Sequence, residues 1–298
     1  MTAPRVVVVA KRSAYARFVE EERDPRARLL LRRRDPSVES WLASHREHLK
    51  TLDETRALLD RLGARVVLVR PAHALFDVRG AALVVTVGGD GTLLAASHHV
   101  SDTPILGVNS SPGLSVGFFC AARRGTLRGM LERALDGTLR AVRLGRMQVA
   151  VNDTVISARV LNEALFCHAS PAATSRYLIR YGRVEEEQRS SGLWIGPAAG
   201  STAAQRSAGG RVLPLGSRHL QLVVREPYQR EGQRLRLRRF SVKPGSRVVV
   251  RNKMQDAFLF LDGPHERHPV RLGDVVTFSG AREPLEVLGL SARRGAGR

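Results

Sequence analysis

The sequence of 298 residues is poor in cysteine, lysine and aromatic residues, and it contains no long hydrophobic run. Its two cysteines, Cys120 and Cys167, belong to no CxxC or Cys/His cluster, so we expect reduced thiols rather than a disulfide framework or a zinc site. No apolar stretch reaches the length of a membrane span, and the valine run at 6–9 is too short and too early for a signal peptide. We therefore expect a cytoplasmic protein without a membrane partner.

Positive charge is abundant, with 44 arginines, only four lysines and a formal net charge of +20. A basic chain suggests an anionic partner. The arginines are dispersed along the whole sequence, however, and no basic stripe is interleaved with aromatic residues, so a nucleic-acid partner is not expected. The charge either solvates the surface or speeds the capture of anionic nucleotides.

The first part of the sequence predicts an open α/β domain. Aromatic residues are 5% of the chain, so the core must consist mainly of Val, Leu, Ala and Ile. Continuous apolar runs, which are typical of buried parallel strands, alternate with helical segments. The predicted buried strands are 6–10, 66–69, 83–87 and 105–108, and the clearest predicted helix is 37–62. We expect the polar, Arg-rich segment 13–34 to be helical and exposed.

The second part predicts a β-rich domain, because helical periodicity fades and short β-like runs are separated by turn pairs. We place the α/β domain at 1–125 and the β-rich domain at 126–278, and we expect 279–298 to return to the first domain. The β-like runs are 147–151, 155–161, 177–181, 220–224, 248–251, 258–261 and 275–278.

The first candidate motif follows directly after the predicted strand 83–87. Its residues are Gly88, Gly89, Asp90, Gly91 and Thr92. Glycines let a backbone approach a phosphate closely, and a helix start offers free N–H groups to an anion. An aspartate would repel a phosphate there, so it suits a base, a hydroxyl acceptor or a Mg²⁺ partner. The alternative is a tight turn with Asp90 as the helix N-cap.

Two further motifs lie in the second part. Asn162 and Glu163 follow a predicted strand and could hold the two hydroxyls of a ribose; alternatively they are exposed polar residues at a strand end. Residues 199–210 are mostly small, and Ser201, Thr202 and Ser207 offer hydroxyls to a ligand. The alternative for this segment is a tightly packed helix flanked by glycine turns.

The three motifs in this order, GGDGT, NE and GSTAxxxSAGG, resemble those of the NAD kinase family. The resemblance runs from about residue 6 to residue 289. It implies an enzyme that phosphorylates the 2′-hydroxyl of NAD or NADH, with ATP as donor and Mg²⁺ as cofactor, and assembly into dimers or tetramers. It also implies that Asp90 is the catalytic base, that Gly88, Gly89, Gly91 and Thr92 cradle phosphates, and that Asn162, Glu163, Thr202, Ala203 and Ser207 bind the dinucleotide.

Within the family, residues 190–193 and 224–227 are most similar to the plant NADH kinase branch. Ser191 stands where the usual bacterial pattern has Asp, and Ala204 where it has Tyr. Two rival functions remain: a lipid kinase sharing GGDGT, and a non-catalytic protein that binds dinucleotide or nucleic acid.

Overall fold

The computed structural model describes residues 2–232 and 234–291, which form two compact units. Among the described residues, 2–142 and 286–290 form the first unit, and 143–285 lie in the second. The predicted boundary at residue 125 places the helix at 127–135 in the second domain. This helix lies in the first unit instead, because its buried Leu127 and Leu131 pack into the core of that unit. Of the segment 279–298, residues 286–290 lie in the first unit and residues 279–285 lie in the second; residues 292–298 are outside the described ranges.

The first unit is an α/β domain around a seven-stranded sheet. Its strand order is β2-β1-β3-β4-β19-β6, with β5 paired to β4, and the pairs among β1–β5 are parallel. The strands are β1 Arg5–Ala10, β2 Arg65–Val69, β3 Leu83–Gly88, β4 Ile105–Asn109, β5 Cys120–Arg123, β6 Ala141–Leu144 and β19 Leu285–Leu288. The helices are α1 Pro25–Arg32, α2 Glu39–Arg61, α3 Asp90–Ser97 and α4 Leu127–Leu135, with a π-helix at Ala16–Glu21 and a 3-10 helix at Pro36–Val38.

The local sequence accounts for these elements. The run of β-branched valines in β1 is buried on both faces, as a central parallel strand requires. The Asp24 carboxylate caps α1 by accepting the Ala27 N–H at 2.8 Å, and Pro25 occupies the first helical turn. Gly63, at φ +70°, terminates α2 in a left-handed conformation that suits glycine. The prediction that 13–34 is helical is confirmed over Ala16–Glu21 and Pro25–Arg32, but these helices are only partly exposed, since Ala27 is buried.

One predicted strand has a different environment from the one expected. The prediction that 66–69 is a buried strand is right about the strand and wrong about its burial. Because β2 is the edge strand, β1 is its one neighbour in the sheet, and Val67 and Leu68 remain exposed.

The second unit is a β-sandwich of two six-stranded antiparallel sheets, with strand orders β11-β10-β15-β18-β7-β8 and β14-β13-β12-β9-β16-β17. The two sheets share one core, in which Phe166 of β9 meets Tyr177 of β10 edge to face with ring centroids 5.7 Å apart. The strands are β7 Met147–Val151, β8 Thr154–Val160, β9 Ala164–His168, β10 Ser175–Tyr181, β11 Val184–Ser190, β12 Leu193–Pro197, β13 Leu220–Val224, β14 Arg239–Val242, β15 Arg247–Asn252, β16 Ala257–Leu261, β17 Glu266–Val270 and β18 Val275–Gly280. A 3-10 helix at Ala198–Thr202 leads into the short α5, Ala204–Ser207.

Candidate functional site

The GGDGT motif forms the turn from β3 into α3 in the first unit. Gly88 ends the buried strand, Gly89 is the helix N-cap, and Asp90 is the first helical residue. The first turn of an α-helix leaves its N–H groups without intrahelical partners, so this turn presents donors to an anion. Thr92 is buried, and a Cβ on Gly88 would collide with its side chain. Thr92 therefore shapes the turn, and direct contact between Thr92 and a phosphate stays a prediction.

The Asp90 carboxylate holds a neighbouring loop. Its two oxygens accept the backbone N–H groups of Phe118 and Phe119, each at 2.8 Å. The alternative that Asp90 caps its own helix is therefore wrong, because Gly89 holds that position and Asp90 turns to residues 28 and 29 positions further along the chain. Each oxygen keeps a lone pair that could accept a hydroxyl.

The loop held by Asp90 covers the glycine turn. It connects β4 to β5, and Asn109 fixes its start by donating to the Ser115 carbonyl at 3.1 Å and accepting the Ser111 N–H at 3.1 Å. A Cβ on Gly89 would lie 2.6 Å from the Ser115 hydroxyl. The second glycine of the motif is thus required by the approach of this loop.

Asn162 and Glu163 lie in the short connection between β8 and β9 of the second unit, and Asp262 organises that connection. The Asp262 carboxylate accepts the N–H groups of Leu161 at 2.8 Å, Asn162 at 2.6 Å and Glu163 at 3.1 Å. The Asp262 N–H in turn donates to the Glu163 carbonyl at 2.9 Å. The backbone of this pair is therefore fixed, and the two side chains are positioned by a residue one hundred positions away.

Glu163 is buried, so the alternative of an exposed strand-end residue is wrong for it. Its Oε2 atom has no hydrogen-bond partner among the described residues. Burial, with the Asp262 carboxylate as a second cause, raises the pKa of Glu163 to about 8. A buried carboxyl oxygen without a partner is unusual and indicates a group that binds a ligand.

The small-residue motif packs directly against Asn162. A Cβ on Gly200 or Gly196 would collide with the Asn162 carbonyl, so only glycine allows the two backbones to approach this closely. Gln205 is fully buried; its Nε2 donates to the Asn162 carbonyl at 3.5 Å, and its Oε1 accepts from Gln221 at 3.2 Å. The second and third motifs therefore form one structure within the second unit.

The three predicted dinucleotide residues of the third motif have different environments. Thr202 and Ala203 are half-buried at the end of the 3-10 helix, whereas Ser207 is exposed on α5. Ser207 lines a depression of about 630 Å³ whose other walls carry the side chains Arg225, Arg236, Arg238 and Arg239. Glu226 also lines it, and the four arginines leave a net positive charge that suits an anionic ligand.

Three residues that matter in this geometry were not singled out by the sequence. Asp262 is visible in the sequence only as part of an Asp-Gly turn pair, and Gln205 as a polar residue among small ones. Lys11 follows β1 and lines a cavity of about 300 Å³. Over residues 2–232 and 234–291, no group of three or more His, Cys, Asp or Glu side chains could hold a metal ion, and no helix is long and apolar enough to span a membrane.

Comparisons with known proteins identify similar sequences. Residues 31–139 match the family model for the ATP-NAD kinase N-terminal domain. The chain is 33% identical to a probable NADH kinase of Oryza sativa over 87% of this chain and 86% of that protein. It is 35% identical to an NADH kinase of Arabidopsis thaliana, over 72% of this chain and 74% of the other.

Solved structures show the same fold. A crystal structure of an NAD kinase from Archaeoglobus fulgidus in complex with ATP gives a TM-score of 0.67 at 21% identity, covering 98% of this chain and 96% of that one. Yeast NADH kinase complexed with NADH gives 0.67 at 14% identity, covering 99% of this chain and 85% of that one.

The Asp262 carboxylate can be tested without any ligand. We expect Asp262→Asn to lower the free energy of unfolding by about 2 kcal/mol, because an amide N–H replaces an acceptor that faces backbone N–H groups. Asparagine tolerates the positive φ of residue 262, so the substitution tests the carboxylate alone. Urea denaturation measures the loss, and hydrogen exchange should accelerate at the amides of 161–163. The control is Asp256→Asn at an exposed position. If hydrogen exchange at the amides of 161–163 is unchanged in Asp262→Asn, the Asp262 carboxylate does not hold this connection.

Glu163 should make stability depend on pH. The folded pKa of Glu163, about 8, lies above its ordinary value of 4.5. Its contribution to the free energy of unfolding is therefore complete below pH 4.5 and is lost as the pH rises through about 8. Between these values the wild type should lose stability relative to Glu163→Gln, by at most about 1.4 kcal/mol per pH unit. Urea denaturation from pH 5 to 8 measures this. For the control Glu185→Gln, an exposed position, the free energy of unfolding should change with pH as it does in the wild type. If the curve for Glu163→Gln also runs parallel to that of the wild type, the expectation is wrong.

Proposed function

This chain belongs to the NAD kinase family, and from that membership we propose that it transfers the terminal phosphoryl group of ATP to the adenosine 2′-hydroxyl of NAD or NADH. The products are NADP or NADPH and ADP. The observation that carries the proposal is the combination of three motifs in order with a relative that is 33% identical over most of both chains. The GGDGT-bearing lipid kinases are not favoured, since they do not account for the second and third motifs. A non-catalytic dinucleotide-binding protein is not favoured because the similar proteins are named as kinases.

Asp90 would act on the acceptor hydroxyl. Its carboxylate sits at the glycine turn, and each oxygen has a lone pair left after bonding Phe118 or Phe119. The 2′-oxygen attacks the terminal phosphorus in line, the bond to ADP breaks, and the hydroxyl proton passes to Asp90. The N–H groups of Gly89 and Gly91 would face the phosphates at the helix start.

The dinucleotide would be bound by the second unit's motifs. Asn162 and Glu163 have a fixed backbone, and the unpartnered Glu163 Oε2 is free to bond a ribose hydroxyl. Thr202 and Ala203 belong to the segment packed on Asn162, and Ser207 lines the arginine-rich depression. Burial and close packing together give this region the rigidity that positioning a ribose requires.

The donor set fits Mg²⁺ carried by the nucleotide. Mg²⁺ commonly keeps several waters and binds through substrate phosphates with one or two carboxylates, so a site of three protein ligands is not needed. Asp90 is the carboxylate at the phosphate turn that would contact it. When bound, the ion supplies charge neutralisation on the transferred phosphate. A cytoplasmic location and assembly into dimers or tetramers stay predictions from the sequence.

The proposal is tested by turnover of NAD and NADH with ATP and Mg²⁺, comparing wild type with Asp90→Asn. We expect NADP or NADPH to form, and Asp90→Asn to lower kcat by about 10²–10⁴-fold, the usual contribution of a positioned base. The variant should still bind NADH in calorimetry, because the dinucleotide motifs are in the other unit.

The matched control is Asp102→Asn, an exposed aspartate beyond the end of α3, which should keep wild-type kcat. Because Asp90 also holds the loop at Phe118, melting temperatures are compared first. Near wild-type turnover by Asp90→Asn would eliminate Asp90 as the base, and a wild type inactive on both dinucleotides would eliminate the proposed function.

We infer further that NADH is the preferred form. Arg225 lies beside Ser191: its Nη1 donates to the Ser191 carbonyl at 3.3 Å, and the Ser191 N–H donates to the Arg225 carbonyl at 3.1 Å. The usual family carboxylate at position 191 is absent. NAD carries a positive nicotinamide ring and NADH a neutral one. If position 191 faces the ring, the missing carboxylate removes an attraction for NAD of about 1 kcal/mol at contact distance.

The preference is measured as kcat/KM for NAD and NADH on wild type and Ser191→Asp. A carboxylate at 191 would offset the Arg225 charge, so the ratio should shift toward NAD. Ser170→Asp, in an exposed turn, is the control. The electrostatic explanation is wrong if the wild type prefers NAD by about tenfold, which is about 1.4 kcal/mol, or if Ser191→Asp leaves the ratio unmoved.

A further inference from the structure

A cavity outside the three motifs lies at the carboxyl ends of β1 and β2 in the first unit. It has a volume of about 300 Å³, and its lining includes Lys11, His45, His48 and Arg70. Lys11 follows β1 and Arg70 follows β2, and these strands pair in parallel with Val9 opposite Val69. In open α/β sheets, ligands bind beyond the carboxyl ends of the strands, so the position of this cavity is that of a ligand site.

Lys11 lacks a counter-ion. It is the only one of the four lysines, all within the described ranges, that is not exposed. Its Nζ donates to the Ser111 hydroxyl at 3.3 Å, and no carboxylate among the described residues pairs with it. Burial lowers the pKa of Lys11. A partly buried ammonium without a carboxylate partner destabilises the fold. Its presence at this position therefore indicates that an anion binds there.

The other charged groups at the cavity leave a net positive charge. Glu21 pairs with Arg12 at 3.1 Å, and Glu20 approaches His45 Nε2 at 3.4 Å. Arg70 is exposed and, in the part of the chain that the structure describes, has no ion-pair partner. Burial, followed by the charges of Lys11, Arg70 and His45, lowers the pKa of His48 to about 3, so His48 is neutral at physiological pH. Three cations, Lys11, Arg12 and Arg70, therefore face two carboxylates, Glu20 and Glu21, and the cavity lining carries a net positive charge.

Hydrogen bonds link two residues of the cavity lining, Lys11 and His48, to the GGDGT turn and the strand before it. The Lys11 N–H donates to the Val87 carbonyl at 3.0 Å, which puts Lys11 beside Gly88 on the adjacent strand. His48 Nδ1 and the Ser110 hydroxyl lie 3.1 Å apart, and the Ser110 N–H donates to the Gly88 carbonyl at 2.8 Å. Neighbouring strands lie about 4.8 Å apart, so an extended anion could span from the glycine turn to Lys11 and onward to Arg70.

We propose that Lys11 and Arg70 bind the phosphate chain of the phosphoryl donor, with its transferred end at the Gly88–Gly89 turn and the rest of the chain in this cavity. The proposal rests on the proposed function, since it assigns the donor side of that reaction. The predicted dinucleotide residues belong to the second unit, whereas Lys11, Arg70 and the GGDGT turn share one sheet edge of the first. ATP and inorganic polyphosphate present the same phosphate chain, so the site accommodates either.

The experiment compares Lys11→Gln and Arg70→Gln with the controls Lys50→Gln and Arg79→Gln. Lys50 and Arg79 are exposed and lie outside the cavity. We expect both cavity variants to raise the donor KM about tenfold or more, the usual loss for a charge-assisted hydrogen bond, without changing the KM for NADH. Kinetics with ATP and with polyphosphate identify which donor is affected.

Calorimetry with inorganic tripolyphosphate gives a readout independent of turnover. It should bind wild type and both controls, raise their Tm, and bind the cavity variants at least about tenfold more weakly. Lys11→Gln should fold with an unchanged or higher Tm, because it removes a buried unpaired charge. If Lys11→Gln does not fold, the result for Arg70→Gln, at the exposed mouth of the cavity, decides whether the cavity binds the phosphate chain.

The outcomes separate the two proposals. An active enzyme whose cavity variants keep both the donor KM and tripolyphosphate affinity within about twofold overturns the phosphate site and leaves the kinase function intact. A raised KM for NADH with an unchanged donor KM also overturns it, since the cavity would then serve the acceptor. If the wild type turns over neither dinucleotide while the cavity variants lose tripolyphosphate, the function fails and the assignment to the donor fails with it, although the cavity binds phosphate.

Discussion

Two aspartate carboxylates that accept backbone N–H groups from distant segments hold the candidate site in place. Asp90 fixes the loop over the glycine turn through Phe118 and Phe119, and Asp262 fixes the connection carrying Asn162 and Glu163. Loops otherwise lose much conformational entropy when ordered, and a charged acceptor gives stronger hydrogen bonds than a neutral one. In both units, rigidity at the site comes from a side chain far away in sequence.

These carboxylates could work only where the backbone is able to approach closely. Gly196 and Gly200 bring the small-residue segment onto the Asn162 carbonyl, and Gly89 admits the loop bearing Ser115. The density of small residues in the third motif is therefore explained by packing against the second motif as well as by ligand access. Two interpretations of the third motif, tight packing between glycine turns and ligand binding, are therefore compatible. The packing positions the groups that would bind the ligand.

The sequence predicted the sheet strands well where hydrophobicity is continuous and poorly where charge or an edge intervenes. Runs such as 147–151 and 220–224 match β7 and β13. By contrast, β11 contains Glu185, Glu186 and Glu187, and its pairing with β10 rather than its hydrophobicity makes it a strand. The exposure of β2 follows from strand order, which no local pattern encodes. Asp262 and Gln205 act through partners about 100 and 43 positions away, so only the folded chain reveals them.

The burial of a cationic side chain indicates its function better than the number of cationic residues in the chain does. With 44 arginines spread over the chain, an exposed arginine carries little information about function, and many are paired with acids or solvated. Lysine is a compact point charge that suits a narrow cavity, whereas the guanidinium is planar and broad. Lys11 is a partly buried cation that is bonded to a serine hydroxyl instead of a carboxylate. Since partly buried charges are screened less than exposed ones, Lys11 would contribute more to anion recognition at this sheet edge than the arginines dispersed over the rest of the surface do.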